Sequence, residues 1–546
     1  MKKKTISLLL ILCMLFTCVL SVSFTASAES VGLADEGAAD YGLADTCKDG
    51  NILQCFNWTL AQIKAELPNI AAAGFTSVQT SPLQAHDGRN QWYWLYQPTG
   101  FTIGNELGSY SDLQSLCTEA DKYGIKIIVD VVANHLAGSN SGTLANSVES
   151  SLKKSEYFHN LGAGSDWDNR YEVTQKNIGM PDLNSESTAV QGFVAAMITK
   201  LQDAGVDGIR WDAAKHIALP SEDCGFWARM GQFDLYQYGE ILDAPAGNSG
   251  AKVNNALMSE YAEYINVSDD KYSSGFMAAV RDGSTYRTNG YWTRQGLSAD
   301  SIVYWAETHD TFSNTTGWMK NIDQNVIDRA YAILGAKADS QALYLSRPFE
   351  TNHTSIYYGR KGSTHFTSKE VAAVNHFHNA MIGAEEKYST NAGCYIVWRR
   401  GEGNLGGAVI VAMSGSDIDV SVTNNSAMVP EGTYTDEVSG STFTVTSSKI
   451  TGHIGSTGIA VIYNTDTEPA EVIVGDASLD EEVDIDDATL IQRSDAQMID
   501  LSAEQKAAAD ADQDGEVTLV DVTAIQRYLA DLKHNAPKIG ERITVG

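Results

Sequence analysis

Gly208-Ile209-Arg210-Trp211-Asp212-Ala213-Ala214-Lys215-His216 is a hydrophobic strand end that runs straight into arginine, aspartate, lysine and histidine. Strand side chains alternate between faces, so Arg210 and Asp212 share one face and Trp211 takes the other. An arginine beside a carboxylate holds it ionised and lowers its pKa. A carboxylate kept charged in a pocket suits a nucleophile better than a proton donor. Taken alone, the pair reads equally well as a buried ion pair at a strand end.

Three other segments tip that balance. Ile127-Ile128-Val129-Asp130-Val131-Val132-Ala133-Asn134-His135 is a β-branched run closing on Asn and His, with Asp130 inside it. Tyr238-Gly239-Glu240-Ile241-Leu242 puts one acid at a short strand end, and Val303-Tyr304-Trp305-Ala306-Glu307-Thr308-His309-Asp310 repeats the pattern. Stretches 111–123 and 187–204 carry apolar residues at helical spacing. Strands alternating with helices, and charged groups at the C-terminal strand edges, predict an α/β fold: a (β/α)8 TIM barrel with its site at that face. Seven barrel strands are predicted at 51–58, 77–81, 125–132, 208–211, 238–241, 301–305 and 342–345, with the eighth somewhere between Leu242 and Asp300.

In order and spacing, Asp130 to His135, Gly208 to His216, Glu240 and His309-Asp310 resemble the sequence regions of the α-amylase family, glycoside hydrolase family 13. The likeness spans about 51–464 and is closest to bacterial saccharifying-type enzymes, in Trp92-Tyr93-Trp94-Leu95-Tyr96-Gln97-Pro98 and Asp212-Ala213-Ala214-Lys215-His216. It implies a secreted, calcium-dependent, endo-acting α-amylase that cuts α-1,4 bonds of starch and related α-glucans with retention. Retention needs an ionised nucleophile and a protonated acid about 5 Å apart. Asp212, charged by Arg210, fits the first role. Glu240, with no cation beside it in sequence, fits the second, its pKa raised. Asp310 resembles the third family carboxylate, and Asp130 is expected to orient Arg210. His135 and His309 are expected to donate to the same sugar, Tyr93 and Tyr96 to stack on sugar faces beside Gln97, and Lys215 and His216 to grip the leaving-side glucose. Trp94 reads as core. The resembled Ca²⁺ ligands are Asn134, Thr174, Asp182 and His216, with Thr174 and His216 giving backbone oxygens. Thr308 stands where chloride-dependent relatives carry Asn, which speaks against chloride. Two readings compete: a transglycosylating or maltogenic member using the same residues, and a catalytically silent starch-binding scaffold subunit.

Around this core the 546-residue chain divides further. Met1-Lys2-Lys3-Lys4, an apolar run too short to span a membrane, and Ala26-Ser27-Ala28 read as a signal peptide over 1–28. An Ala/Gly/acid-rich leader over 29–46 reads as disordered. The catalytic barrel is expected over 47–385, with an inserted B domain at about 136–183 where helical period gives way to Gly, Asn and Ser. Short alternating strands over 386–465 read as an antiparallel sandwich, followed by a linker at 466–473. Five cysteines remain after the signal, odd in number and scattered, with Cys47 and Cys55 the nearest candidates for a bridge. A net charge of −31 excludes nucleic acid and anionic lipid as partners.

The tail holds an internal repeat. Asp476, Ser478, Asp480, Glu482, Asp484 and Asp487, and again Asp510, Asp512, Asp514, Glu516, Thr518 and Asp521, set oxygens at spacings that wrap Ca²⁺, up to two ions in all. Each loop runs into a helix sharing Ile-Gln-Arg, predicted at 488–493 and 522–529. With Asp at the last position and no full helix ahead of each loop, the repeats resemble the type I dockerin, over 474–535 with a tail at 536–546. That implies docking to the cohesin of a scaffold, with Ile485, Asp486, Leu519 and Val520 as candidate contacts. Glu481 departs from the glycine expected at the sharp turn, predicting a weaker or more strained first loop.

Overall fold

The structure, a computed structural model, describes residues 41–241, 255–268, 270–284, 297–338, 341–465, 471–496, 498–499, 501 and 503–544. The expected signal peptide, the leader as far as 40 and linker residues 466–470 lie outside them.

Eight parallel strands close a barrel: β1 (Ile52–Gln54), β2 (Ser77–Gln79), β3 (Lys126–Val132), β4 (Gly208–Asp212), β5 (Tyr236–Gly239), β6 (Asn266–Ser268), β7 (Ile302–Trp305) and β8 (Gln341–Leu345). Each pairs with its sequence neighbour, and β1 pairs with β8 to close the ring. The strand left unplaced by sequence is β6, only three residues long, too short to print a period. Helices at Tyr110–Asp121 and Thr188–Asp203 bury Leu113, Leu116 and Ala120, and Val190, Val194, Ile198 and Leu201, against the barrel. The first is started by a capping box in which Ser109 and Asp112 satisfy each other's backbone N–H groups.

After β3 the chain leaves the barrel until Asp182, whose neighbourhood bridges back to His135. One six-residue helix, α1 (Arg170–Gln175), lies in this excursion. Beyond the barrel, two four-stranded antiparallel sheets face each other over Ile396, Trp398, Ile410, Val422, Phe443, Ile450 and Ile462. The tail builds its own core from Val474, Ile491, Leu501, Val522 and Ile525, under α2 (Ile485–Asp495), α3 (Ala503–Ala509) and α4 (Leu519–Leu529).

Several expectations change. The leader is shorter than predicted, since Ala44 is buried and its N–H donates to Thr76 at 3.1 Å. The linker's last residues, Glu471–Ile473, form a strand paired with Arg542–Thr544 from the expected tail, so both belong to the folded tail unit. A short helix, α3, does precede the second loop. Cys47, Cys55, Cys117, Cys224 and Cys394 are all free and buried, so the Cys47–Cys55 bridge is not formed. No helix among the described residues is long and apolar enough to cross a membrane.

Candidate active site

Strand register assembles the site. In β3 and β4, Asp130 lies beside Arg210 and Val132 beside Asp212; in β4 and β5, Arg210 lies beside Tyr238. The alternation read from sequence holds: Trp211 points outward onto Phe226 and Trp227, its Nε1–H donating to Gln237. Arg210 points inward and is only 5% exposed. Its Nη1 donates to Asp130 at 2.8 Å and to Asp212 Oδ1 at 2.9 Å, and its Nη2 meets Glu240 Oε2 at 2.9 Å. One guanidinium therefore grips three carboxylates. Ala213 follows in a left-handed turn, φ 49°, that aims its N–H at Glu240 Oε2, 3.0 Å away. Glu240 sits one residue past β5, and Asp310 is hydrogen-bonded to it from the short helix after β7.

The charge reading made from sequence is reversed by this geometry. Glu240 has a cation beside it in space. Burial opposes its ionisation, but Arg210, the Ala213 N–H and His309 outweigh burial and hold it down at about 2. Burial pushes Asp212 well up in spite of Arg210, with Glu240 and Asp130 adding to the rise. Burial and then the Glu240 charge raise Asp310 to about 8, and burial lifts Asp130 to about 6 against Arg210. Four acids crowded around one cation, Asp130 and Asp212 buried and Glu240 and Asp310 partly so, cannot all ionise. Without a sugar the shared protons sit on the Asp310 and Asp212 side.

The aromatic run is a half-buried turn at Trp92–Trp94 leading into Tyr96. Trp92 is the core member, edge-on to Phe56, Tyr93, Tyr96, His309 and His353. Trp94, expected in the core, is only partly buried and lies under Arg89. Tyr93 stacks on His353. Tyr96 is buried, stacks on His309 at 5.1 Å and donates its hydroxyl to Asp130 at 3.1 Å, while Gln97 is half-buried beside it. His135 is turned inward, its Nε2 at 3.0 Å from the Tyr96 carbonyl, so it braces this turn. His309 is held by Gln54, 3.0 Å from Nδ1, which leaves Nε2 facing Asp310 at 3.6 Å. Burial drives His309 down to about 3, so it is a neutral donor. Lys215 N–H donates to the Glu240 carbonyl, and His216 Nδ1 meets the Val173 carbonyl at 2.8 Å. Thr308 caps the short helix His309–Ser313.

With this arrangement in view, residues 44–264 match the family "Alpha amylase, catalytic domain", and residues 474–530 match "Dockerin type I domain". The chain carries an alpha-amylase catalytic domain and a type I dockerin domain. An alpha-amylase of Clostridium acetobutylicum is 34% identical over 453 residues, 78% of this chain and 55% of that protein. One from Butyrivibrio fibrisolvens is 29% identical over 80% of this chain and 50% of that protein. The chain thus spans about half the length of these relatives. The fold matches alpha-amylase I of Eisenia fetida with TM-score 0.62 at 21% identity, over 78% of this chain and 97% of that one.

In the alpha-amylase domain, the expected calcium ligands partly converge. Asp182 is buried with Oδ1 lacking any hydrogen-bond partner, and Asn134 bonds to the same carboxyl. Burial raises Asp182 to about 7. An orphaned, buried carboxylate oxygen, with the Asn134 side chain against the same carboxyl, fits a hard cation. The His216–Val173 contact brings the His216 segment against the Thr174 neighbourhood. Sequence reasoning missed His159, which sits between Asp182 (2.6 Å) and Glu186 (2.7 Å). Burial lowers its pKa, but the two acids more than reverse that, to about 9. A lone His in a Gly/Asn-rich stretch gave no periodic signal. Glu307, buried and paired with Arg347, was missed too, though it directly precedes Thr308.

In the dockerin domain the two loops superimpose in their bonding. Asp476 accepts from the Asp480 and Glu481 N–H groups, and Asp510 from those of Asp514 and Gly515. Asp487 and Asp521 close the loops by accepting from Asp484 and Thr518, both at 2.8 Å. Asp510, Asp512 and Asp514 bring carboxylate oxygens within 4.8 Å of one another, and Asp512 Oδ1 is a buried oxygen without a hydrogen-bond partner. That donor set fits Ca²⁺. Glu481 takes φ 71° where Gly515 takes φ 91°, the left-handed region in both. Ile485, Leu519 and Val520 are exposed at the starts of α2 and α4.

Proposed function

We propose that the chain is a secreted, calcium-dependent, endo-acting hydrolase of α-1,4-glucosidic bonds in starch and related glucans. It works with retention and docks through its dockerin to a cohesin on a scaffold. The carrying observation is the single guanidinium of Arg210 bonded to Asp130, Asp212 and Glu240 at the C-terminal end of the barrel. Asp212 attacks the anomeric carbon, Glu240 protonates the leaving oxygen, and Asp310 binds sugar hydroxyls. Attack needs Asp212 ionised and Glu240 protonated, so when a sugar enters a proton passes from the Asp212 and Asp310 side of the cluster to Glu240, with the Asp310–Glu240 hydrogen bond as the last link of that path. Asp130 fixes Arg210, which in turn holds Asp212 in line. His309 is a neutral hydrogen-bond donor to the sugar, Tyr96 a wall of the pocket, and Lys215 with His216 flank the leaving side. Calcium held by Asn134, Asp182 and the carbonyls of Thr174 and His216 would pin the 136–183 excursion to the barrel and supplies no step of bond cleavage. Calcium in the tail loops would order α2 and α4 for the partner.

A timed product profile on amylose, with the anomer of the new reducing ends read by NMR, tests this reading. Expected are short maltooligosaccharides released in the α form. Asp212→Asn and Glu240→Gln are each expected to cut kcat by about 10⁴-fold or more while the protein stays folded. Transfer products in place of hydrolysis would favour the transglycosylating reading, and near-normal rates in either variant would refute the residue roles.

A further inference from the structure

The His309 ring is buried and held well below its ordinary pKa range, first by burial and then by Arg210, so it carries a single proton. Which nitrogen keeps that proton decides what the ring offers the cavity it lines with Arg210, Glu240 and Asp310. Nε2 faces Asp310 Oδ2 at 3.6 Å. With the proton there the ring is a donor; with the proton on Nδ1 it presents only a lone pair.

Gln54 settles the choice. It is the last residue of β1, buried, with Gln79 and Leu345 beside it in the flanking strands, and its carbonyl accepts from the Ser346 N–H at 3.0 Å. Its side-chain Oε1 accepts from the His309 backbone N–H at 3.3 Å, and its Nε2 lies 3.0 Å from His309 Nδ1. A backbone N–H can only donate, so it takes the amide oxygen and fixes which end of the amide meets the ring. Turned over, the amide would set its NH2 against that N–H, donor against donor. The end that meets Nδ1 is therefore the NH2, and Nδ1 must be the bare nitrogen. The ring is clamped in this pose: Tyr96 stacks on it at 5.1 Å, Phe56 lies tilted at 5.0 Å and Trp92 edge-on at 5.9 Å. We propose that Gln54 is a positioning residue that sets the tautomer of His309, keeping the ring proton on Nε2 to be donated to the sugar in the transition state. Gln54 acts through the ring. Its kinetic consequence rests on the glucan-hydrolase reading above; the tautomer itself does not.

NMR of the full chain carrying isotopically labelled histidine reads the proton directly, with His309 assigned by the signals lost in His309→Asn. Wild type is expected to show a protonated Nε2 and a bare Nδ1. Gln54→Glu has nearly the same shape, yet at about pH 8 its carboxylate only accepts, so Nδ1 should gain a proton. Kinetics on amylose separates tautomer from shape. Gln54→Glu is expected to cut kcat about 100-fold with KM within about threefold, whereas the worse-fitting Gln54→Leu, which leaves Nδ1 without its donor, costs only about 10-fold. In a His309→Asn background Gln54→Glu should cost less than about threefold, since the ring it acts through is gone. Four results would each overturn the proposal: a wild-type proton on Nδ1, a bare Nδ1 in Gln54→Glu, a larger loss for Leu than for Glu, or losses that multiply with His309→Asn. If Gln54→Glu does not fold, the wild-type spectrum decides. If wild type leaves amylose uncut, the parent reading fails while the spectra still judge the tautomer.

Discussion

The barrel site and the tail loops both gather carboxylates, yet they do so by opposite means. In the tail, each set of acids comes from twelve consecutive residues, and the backbone N–H groups of the same loop orient them. In the barrel, Asp130, Asp212, Glu240 and Asp310 come from four separate strand ends and meet only because register stacks them around Arg210. The tail's acids have no cationic side chain at their centre: Asp476, Asp487 and Asp521 are buried against backbone N–H groups, and Asp512 and Asp514 lie nearer the surface, open to a cation from solution. The barrel's acids, from buried Asp130 and Asp212 to partly exposed Glu240 and Asp310, carry their cation as a side chain, so the surplus negative charge is met by protons. Spacing alone encodes the first kind of site; topology is needed for the second.

Removing the barrel's cation is the harshest way to break that comparison. Arg210→Met leaves Asp130, Asp212 and Glu240 without their shared cation, with only the Tyr96 hydroxyl on Asp130 and the Ala213 N–H and Asp310 on Glu240. Stripping one partner from a buried pair costs about 3–5 kcal/mol, and activity should fall by at least about a thousandfold through loss of the Asp212 and Glu240 alignment. The destabilisation should be larger at pH 8 than at pH 5, because the abandoned carboxylates can be protonated at the lower pH. Thermal melts at the two values check it. A melting temperature unmoved at both would mean that the guanidinium does not hold the cluster together.

A milder probe titrates the proton that the barrel site retains. Asp310 is raised to about 8, above its unfolded value, so it is protonated below that pH and loses the proton as pH rises through it. With Asp310 as the source of the Glu240 proton, kcat/KM should fall on the alkaline side about tenfold per pH unit above about 8. In Asp310→Asn the amide has no proton to lose, so the small residual activity should show that limb shifted or absent. An alkaline limb unchanged in the variant would place the titrating group elsewhere.

These contrasts also explain what sequence could show. The alternation in Gly208 to Asp212 suffices to put Arg210 and Asp212 on one face, and the apolar runs before Asn134, Glu240 and His309 mark strand ends. What a linear reading cannot hold is distance between segments. It assigned Glu240 no cation because none is adjacent, and so inverted the site's charge order. It also aimed His135 at the sugar, whereas the histidine faces a backbone carbonyl 39 residues earlier in the chain. Strand β6 escaped because three residues carry no period. The tail's two loop-to-helix repeats were legible because each lies within one short window, although the helices start three residues earlier than predicted, at Ile485 and Leu519.

The tail's two loops differ at one decisive point, and the smallest expected effect lies there. Glu481 and Gly515 make the same bond, each donating its N–H at 2.9 Å to the first aspartate of its loop, and both adopt left-handed φ. For glycine that conformation is free; for a residue with a Cβ it costs about 1–2 kcal/mol. The Glu481 side chain recovers little of this, because its contact with Arg542 is exposed at both ends and 3.4 Å long. If the strain is relieved when the loop empties, it is subtracted from calcium affinity. Glu481→Gly should then tighten the weaker of two calcium sites about 5- to 10-fold, and Gly515→Glu should weaken the stronger by a similar factor, both read by calorimetric titration of the full chain. Two sites of equal affinity in wild type, unmoved by Glu481→Gly, would mean that the bond network rather than the residue at the turn sets how tightly each loop closes.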